Sequence, residues 1–110
     1  MAATQTWVVN MMSVNVQYEG QTDVVYDVTW SCFAQEQYNG KNYTSNYFGS
    51  SSFTYQPGQP FTPYDQLTEA QVLEWVWNDP NVDKLGIEAM NQYNIDNQIN
   101  PQRISPPLPW

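Results

Sequence analysis

The sequence predicts an α+β fold: a small antiparallel β-sheet or sandwich of four or five strands, followed by two C-terminal helices and an extended tail. Three observations carry that expectation. Apolar and polar residues alternate through most of residues 6–48, which is the period of a half-buried strand. Gln56-Pro57-Gly58-Gln59-Pro60 then ends the alternation, because two prolines and a glycine cannot sustain a ladder. Beyond it lies a helix-start signal, Leu67-Thr68-Glu69-Ala70-Gln71-Val72. Thr68 is the cap, Gln71 is placed to return a bond to the Thr68 N–H, and Leu67 and Val72 hold the two positions of a hydrophobic staple. A chain of 110 residues buries roughly two-thirds of its unfolded surface and supports one core, so a single domain is expected. It divides into a β-rich part (1–56), a proline-rich hinge (57–67), a helical part (68–100) and an extended tail (101–110).

In residues 6–18, Trp7, Val9 and Met11 share one parity, and Met12, Val14, Val16 and Tyr18 share the other. A parity change inside a continuous strand is what a β-bulge, or a bend between two sheets, produces. Glu19-Gly20-Gln21-Thr22 reads as a turn. Residues 23–33 then place Val24, Tyr26, Val28, Trp30 and Cys32 on one face and Asp27, Thr29 and Ser31 on the other, so the two runs pair as a hairpin. Asn39-Gly40 accepts positive φ and signals a second hairpin. A strand over 41–48 follows with Tyr43, Ser45 and Tyr47 alternating. Gly49-Ser50-Ser51-Ser52 reads as a bulge or turn, and Phe53-Thr54-Tyr55 extends or restarts the strand.

The first helix, 68–78, presents Val72, Leu73 and Val76 with Trp75 and Trp77 close by, more apolar surface than one sheet-packing stripe needs. Either both tryptophans are core or one is kept for another subunit. Asn78-Asp79-Pro80 stops this helix, and a second runs from Asn81 or Asp83 to about Asn100, where Pro101 breaks it. Its apolar positions Leu85, Ile87, Met90, Ile95 and Ile99 are sparse. Gly86, Asn91, Asn94, Asn97 and Asn100 lower its helicity further, so it needs tertiary or quaternary support. The tail Arg103-Ile104-Ser105-Pro106-Pro107-Leu108-Pro109-Trp110 runs extended and polyproline-like, with Trp110 expected to dock on its own domain or a neighbour.

Aromatic residues make up 15% of the chain and charged residues 13%, the latter about half the usual share. Lys41, Lys84 and Arg103 stand against eleven acids, a net charge of −8. That balance leaves nothing to neutralise phosphates and disfavours an anionic bilayer, so direct nucleic-acid and membrane partners are not expected. The acids are spread from Glu19 to Asp96 and serve solubility and the mutual repulsion of free subunits; a DNA mimic that decoys a basic nuclease is the sharper alternative. Cys32 stands alone, which excludes an intrachain disulfide and suits an inert core residue. Residues 1–5 lack a basic region followed by an apolar run, so no signal peptide is expected, and nowhere do eighteen apolar residues follow one another.

Without His, the usual near-neutral base and nitrogen ligand are missing, and no Gly-rich phosphate loop or metal spacing occurs. Glu36, Asp65, Glu69 and Glu74 are the carboxylates available for glycosidase chemistry, but Glu69 and Glu74 point in different directions on one helix. The expectation is a protein without enzymatic activity, cofactor or metal. Tyr38, Tyr43, Tyr47 and Tyr55 are candidates for stacking sugars; the competing reading is that they cover the sheet or lie in a subunit interface.

The run Phe61-Thr62-Pro63-Tyr64-Asp65-Gln66-Leu67-Thr68-Glu69-Ala70-Gln71-Val72, continued by Trp75-Val76, and the closing Pro106-Pro107-Leu108-Pro109-Trp110 resemble a family of small proteins of tailed bacteriophages, including those of cyanobacteria. Trp7, Asp23-Val24-Val25 and Trp30 fit the same pattern. The resemblance carries no catalytic signature. It implies a virion structural protein, in the first place a capsid decoration (cement) protein on the assembled head, with a minor tail or fibre-associated protein as the alternative. The carbohydrate-binding module and the acidic DNA mimic stay open beside it. The implied partners are the major capsid protein or a tail protein, with homo-oligomeric or lattice-bound copies. Candidate interface residues are Tyr43, Tyr47, Tyr64, Trp75, Trp77, Leu108 and Trp110.

Overall fold

The computed structural model describes residues 3–110. Strands β1 (Thr4–Tyr18), β2 (Gln21–Tyr38) and β3 (Lys41–Ser52) form one antiparallel meander in the order β1-β2-β3. A single 3-10 turn over Tyr64–Gln66 leads into α1 (Glu69–Asn78) and α2 (Lys84–Ile99), and both helices pack on the same face of the sheet. The fold is therefore α+β, with one sheet of three strands in place of the expected four or five or a sandwich. Gly49 is the reason for the difference. It stays extended inside β3, paired with Trp30, because a Cβ there would stand 2.5 Å from the indole ring. What reads as a break in the sequence is a floor for a tryptophan, and Phe53 N–H adds one further bond to the Tyr26 carbonyl at 2.9 Å.

Both hairpins close through two-residue turns with positive φ at each central position: Glu19 at 49° and Gly20 at 81°, then Asn39 at 51° and Gly40 at 77°. This mirror-image turn matches the right-handed twist of the flanking strands. The register slips twice. Asn10 is an extra residue on β1, between Val9↔Trp30 and Met11↔Thr29, and Tyr26 is an extra residue on β2, between Val25↔Val14 and Asp27↔Ser13. The first slip moves the core-facing parity from Trp7 and Val9 to Met12 and Val14, leaving Met11 exposed, one residue earlier than the alternation suggests. The second corrects the expected β2 face: Tyr26 is 44% exposed, and Val25 joins Val28 and Trp30 inside.

The core is built around indoles. Trp7 lies 5.2 Å from Trp30 between ring centroids, Trp77 meets Trp7 edge-on at 5.9 Å, and Tyr47 stacks on Trp30 at 6.0 Å. Val72, Leu73 and Val76 of α1 and Ile87 of α2 close over them. Buried indole N–H groups need acceptors. Trp30 Nε1 donates to Ser51 Oγ at 3.1 Å and Trp7 Nε1 to Glu88 Oε2 at 2.8 Å; that carboxylate also takes Lys84 Nζ at 3.3 Å. Trp77 Nε1 is buried and finds no partner among the described residues.

At the start of α1, Thr68 Oγ1 accepts from Gln71 N–H at 3.2 Å, as the motif predicts. The reciprocal half of the capping box does not form, because Gln71 Nε2 reaches back to Thr62 Oγ1 at 3.1 Å. In α2, Asp83 Oδ1 caps Gly86 N–H at 3.1 Å, and a side chain at Gly86 would collide with that carboxylate. The glycine belongs to the cap and is no defect in the helix.

The asparagines and glutamines of α2 supply what its apolar positions lack. Asn91 is fully buried; its Nδ2 donates to the Cys32 carbonyl at 3.0 Å and to Gln5 Oε1 at 3.3 Å, and its Oδ1 accepts from Ser45 Oγ at 2.9 Å. Gln92 Nε2 donates to Glu36 Oε1 at 2.9 Å, Asn94 Nδ2 to Ser45 Oγ at 3.3 Å and Gln98 Nε2 to the Thr44 carbonyl on edge strand β3 at 2.8 Å. On the opposite edge, Val9 N–H donates to Glu69 Oε2 at 3.1 Å. The molecule is long and thin, 71 × 27 × 21 Å with a radius of gyration of 19.2 Å, against roughly 13 Å for a compact domain of this size.

Asn91→Ala removes the hydrogen bonds to the Cys32 carbonyl, Gln5 Oε1 and Ser45 Oγ and leaves a cavity under α2, and is expected to cost about 2–4 kcal/mol. Gly49→Ala drives a methyl into the Trp30 ring, at about 1–3 kcal/mol. Urea denaturation followed by tryptophan fluorescence reads both as a lowered midpoint at unchanged slope.

Candidate functional site

The proline-rich segment does not act as a slack hinge. Gln59 N–H bonds the Gln56 carbonyl at 3.1 Å, Tyr55 Oη donates to the Gln59 carbonyl at 3.3 Å, and Tyr55 and Phe61 meet edge-on at 5.3 Å. Gln66 N–H to the Pro63 carbonyl and Leu67 N–H to the Tyr64 carbonyl then wind the 3-10 turn. The segment is thus folded back on itself beside the end of β3 and the face of α1. Between them lies a cleft of ≈ 360 Å³ walled by Phe53, Tyr55, Phe61 and Trp75, with Asp23, Thr62 and Gln71 among its polar groups. Phe53 and Trp75 are edge-on at 6.1 Å. A second depression of ≈ 400 Å³ shares Phe53, Thr54 and Trp75 and continues to Asn78, Asp79 and Pro80. Together they make one aromatic groove with a carboxylate towards each end, Asp23 and Asp79, and no Lys or Arg in its walls. Asp23 has φ 54°, a left-handed conformation that Asp tolerates better than most residues.

The residues singled out from the sequence fall in separate places. Trp75 walls the groove, and Tyr64, 39% exposed, sits on the 3-10 turn. Tyr43 and Tyr47 lie on edge strand β3, Tyr47 stacked on Trp30 and Tyr43 under Lys41 Nζ at 5.2 Å. Trp77 is turned inward against Trp7, with Lys84 Nζ 4.9 Å above its ring. Leu108 and Trp110 belong to a tail whose every residue is exposed, Trp110 at 92%. The expected docking of Trp110 on its own domain does not occur. Of the four tyrosines considered for sugars, Tyr55 lines the groove and Tyr38, Tyr43 and Tyr47 do not.

The pattern also passed over apolar surface that the fold leaves open. On the sheet face away from the helices, Val8, Ser31 and Phe48 form one cross-strand row and Met11, Thr29 and Ser50 the next, with Phe48 68% and Met11 61% exposed. The outer side of α2 exposes Leu85, Met90 and Tyr93. The parity of Phe48, opposite to that of Tyr43 and Tyr47, was the signal available for the first surface.

The carboxylates weighed for catalysis are dispersed: Glu36 is buried against Gln92, Glu69 holds the β1 edge, and Asp65 and Glu74 are exposed elsewhere. Among the described residues no three His, Cys, Asp or Glu side chains gather where a metal ion would be held. Cys32 is fully buried, its Sγ donating to Gln5 Oε1 at 3.4 Å. Burial pushes its thiol up from 9.0 to about 11, and the nearby Glu88 carboxylate adds to the rise. Among the described residues no helix is long and apolar enough to cross a membrane.

One family, described as Domain of unknown function (DUF7936), matches residues 2–110. No curated protein and no solved structure matches the chain.

The raised Cys32 pKa fixes a sign. Below pH 9.0 the thiol is protonated in both states; between 9.0 and about 11 only the unfolded thiol ionises, so stability falls with rising pH across that window. Denaturation midpoints taken across it are expected to fall more steeply for the wild type than for Cys32→Ala. At neutral pH a thiol reagent is expected to label the denatured chain and spare the native one.

Proposed function

We propose that this chain, which belongs to the DUF7936 family, is a structural protein of a tailed-bacteriophage particle, in its most concrete form a decoration protein bound to the outside of the assembled head. The observation that carries the reading is apolar surface with no cover in the fold. Phe48 and Met11 stand on the open sheet face, and Ile104, Leu108 and Trp110 stand on the free tail. Large apolar side chains left exposed on one face and on a free segment are available to meet another protein. A thin molecule 71 Å long reaches several neighbours at once, and avidity across a lattice makes individually modest contacts sufficient. The net charge of −8 suits a basic shell exterior. The phage context is supplied by the resemblance of the Phe61-to-Val76 run and the Pro106-to-Trp110 ending.

In this reading the protein is not an enzyme, its partners are the major capsid protein and further copies of itself, and its place is the virion. Attachment to the tail or a fibre uses the same surfaces. A carbohydrate-binding role is the second reading, favoured by the groove alone, where Tyr55, Phe61 and Trp75 stand beside Asp23 and Gln71. Mass spectrometry of purified particles tests the first reading: the chain is expected among the virion proteins, and its absence overturns the proposal. Imaging of labelled particles is expected to place it on the head, and a glycan array is expected to give no hits.

A further inference from the structure

The groove and the tail are complementary, and within one chain they stand apart. We propose that residues 106–110 of one copy seat in the aromatic groove of a second copy, joining chains head to tail. This rests on the assembly reading above and names its partner as the chain itself.

The chemistry of the two surfaces matches. A polyproline segment is a stiff rod that loses little entropy on binding and is gripped between aromatic plates. Pro106, Pro107 and Pro109 with Leu108 and Trp110 form such a rod, and Phe53, Tyr55, Phe61 and Trp75 form the plates. The charges match as well. Lys84 is held by Glu88, and Lys41 lies over Tyr43, whereas Arg103 forms no ion pair among the described residues. The groove offers Asp23 and Asp79 and no cation of its own. With residues 106–110 seated, Arg103 lies about 9 Å upstream, at the groove's end.

Reach works against the chain's own groove. Gln98, near the end of α2, is bonded to the Thr44 carbonyl. Phe53 lies nine residues farther along the β3 direction, about 30 Å away. Six residues from Asn100 bring Pro106 no more than about 22 Å, and ten bring Trp110 about 36 Å, so only the last residues come within range of the chain's own groove. Seating the whole segment takes a neighbour's groove. Such a contact is heterologous and builds a ring or an open filament.

The test compares the full chain with one ending at Ser105. In sedimentation velocity the full chain is expected to gain mass with concentration, while the shortened chain stays monomeric with unchanged circular dichroism and melting temperature. A peptide of residues 103–110, added to the shortened chain, is expected to shift amide resonances of Asp23, Thr54, Tyr55, Gln71 and Trp75; the Arg103→Glu peptide is expected to bind severalfold more weakly. A full chain that stays monomeric at every concentration, a peptide that shifts nothing, or shifts gathered around Phe48 on the open sheet face each overturn the proposal. The particle reading fails separately. If virions lack the protein while the peptide still binds, only that reading falls; if virions retain the shortened chain as well as the full one, and the peptide does not bind, only the head-to-tail contact falls.

Discussion

The arrangement depends on one buried amide. Asn91 bonds the side chain of Gln5 on β1, the carbonyl of Cys32 on β2 and the hydroxyl of Ser45 on β3, so a single group on α2 is referred to all three strands at once. A buried polar group is tolerated when it is fully paired and is costly otherwise. Rotation or sliding of α2 would leave the amide and at least two of its partners unpaired, which gives the helix one seat on the sheet. Ile87 and Ile95, one turn before and after on the same stripe, then pack where Asn91 has placed them. In this helix the apolar contacts supply part of the stability, and the amides supply the register.

The position of α2 in turn sets the aromatic centre. Glu88 is held one turn from the cap, where its carboxylate receives both the Trp7 indole and Lys84, and Lys84 covers Trp77. Helix α1 has no comparable polar anchor in the core and docks through Val72, Leu73 and Val76. The two slips at Asn10 and Tyr26 keep this possible on such long strands, because each restores the core-facing parity as the sheet twists. Without them Val25 and Val14 would face solvent together.

Local signals were read well from the sequence and distant ones were not. The Thr68 cap, the Asn39-Gly40 turn and the stop at Pro101 follow from residues adjacent in the chain, and each lies where that reasoning placed it. The parity change in β1 was legible as a bulge, although its position missed by one residue. Strand number was misread because the demand for Gly49 comes from Trp30, far away in sequence and adjacent in space. The need of α2 for tertiary support was legible, but its source was not, for the same reason: its amides look weak until Gln5, Cys32, Glu36, Thr44 and Ser45 are brought opposite them. The groove was invisible, since Asp23, Phe53, Phe61 and Trp75 share no periodicity; of the candidate interface residues only Trp75 lies in its walls.

An open three-stranded sheet has two bare margins, and here a helix side chain bonds the backbone of each at one point. The Glu69 carboxylate takes the Val9 N–H on one side and the Gln98 amide takes the Thr44 carbonyl on the other. An extended peptide that adds to either edge has to displace a side chain at these two positions. Each edge is thereby interrupted along its length, which works against continuous strand-on-strand growth from either margin.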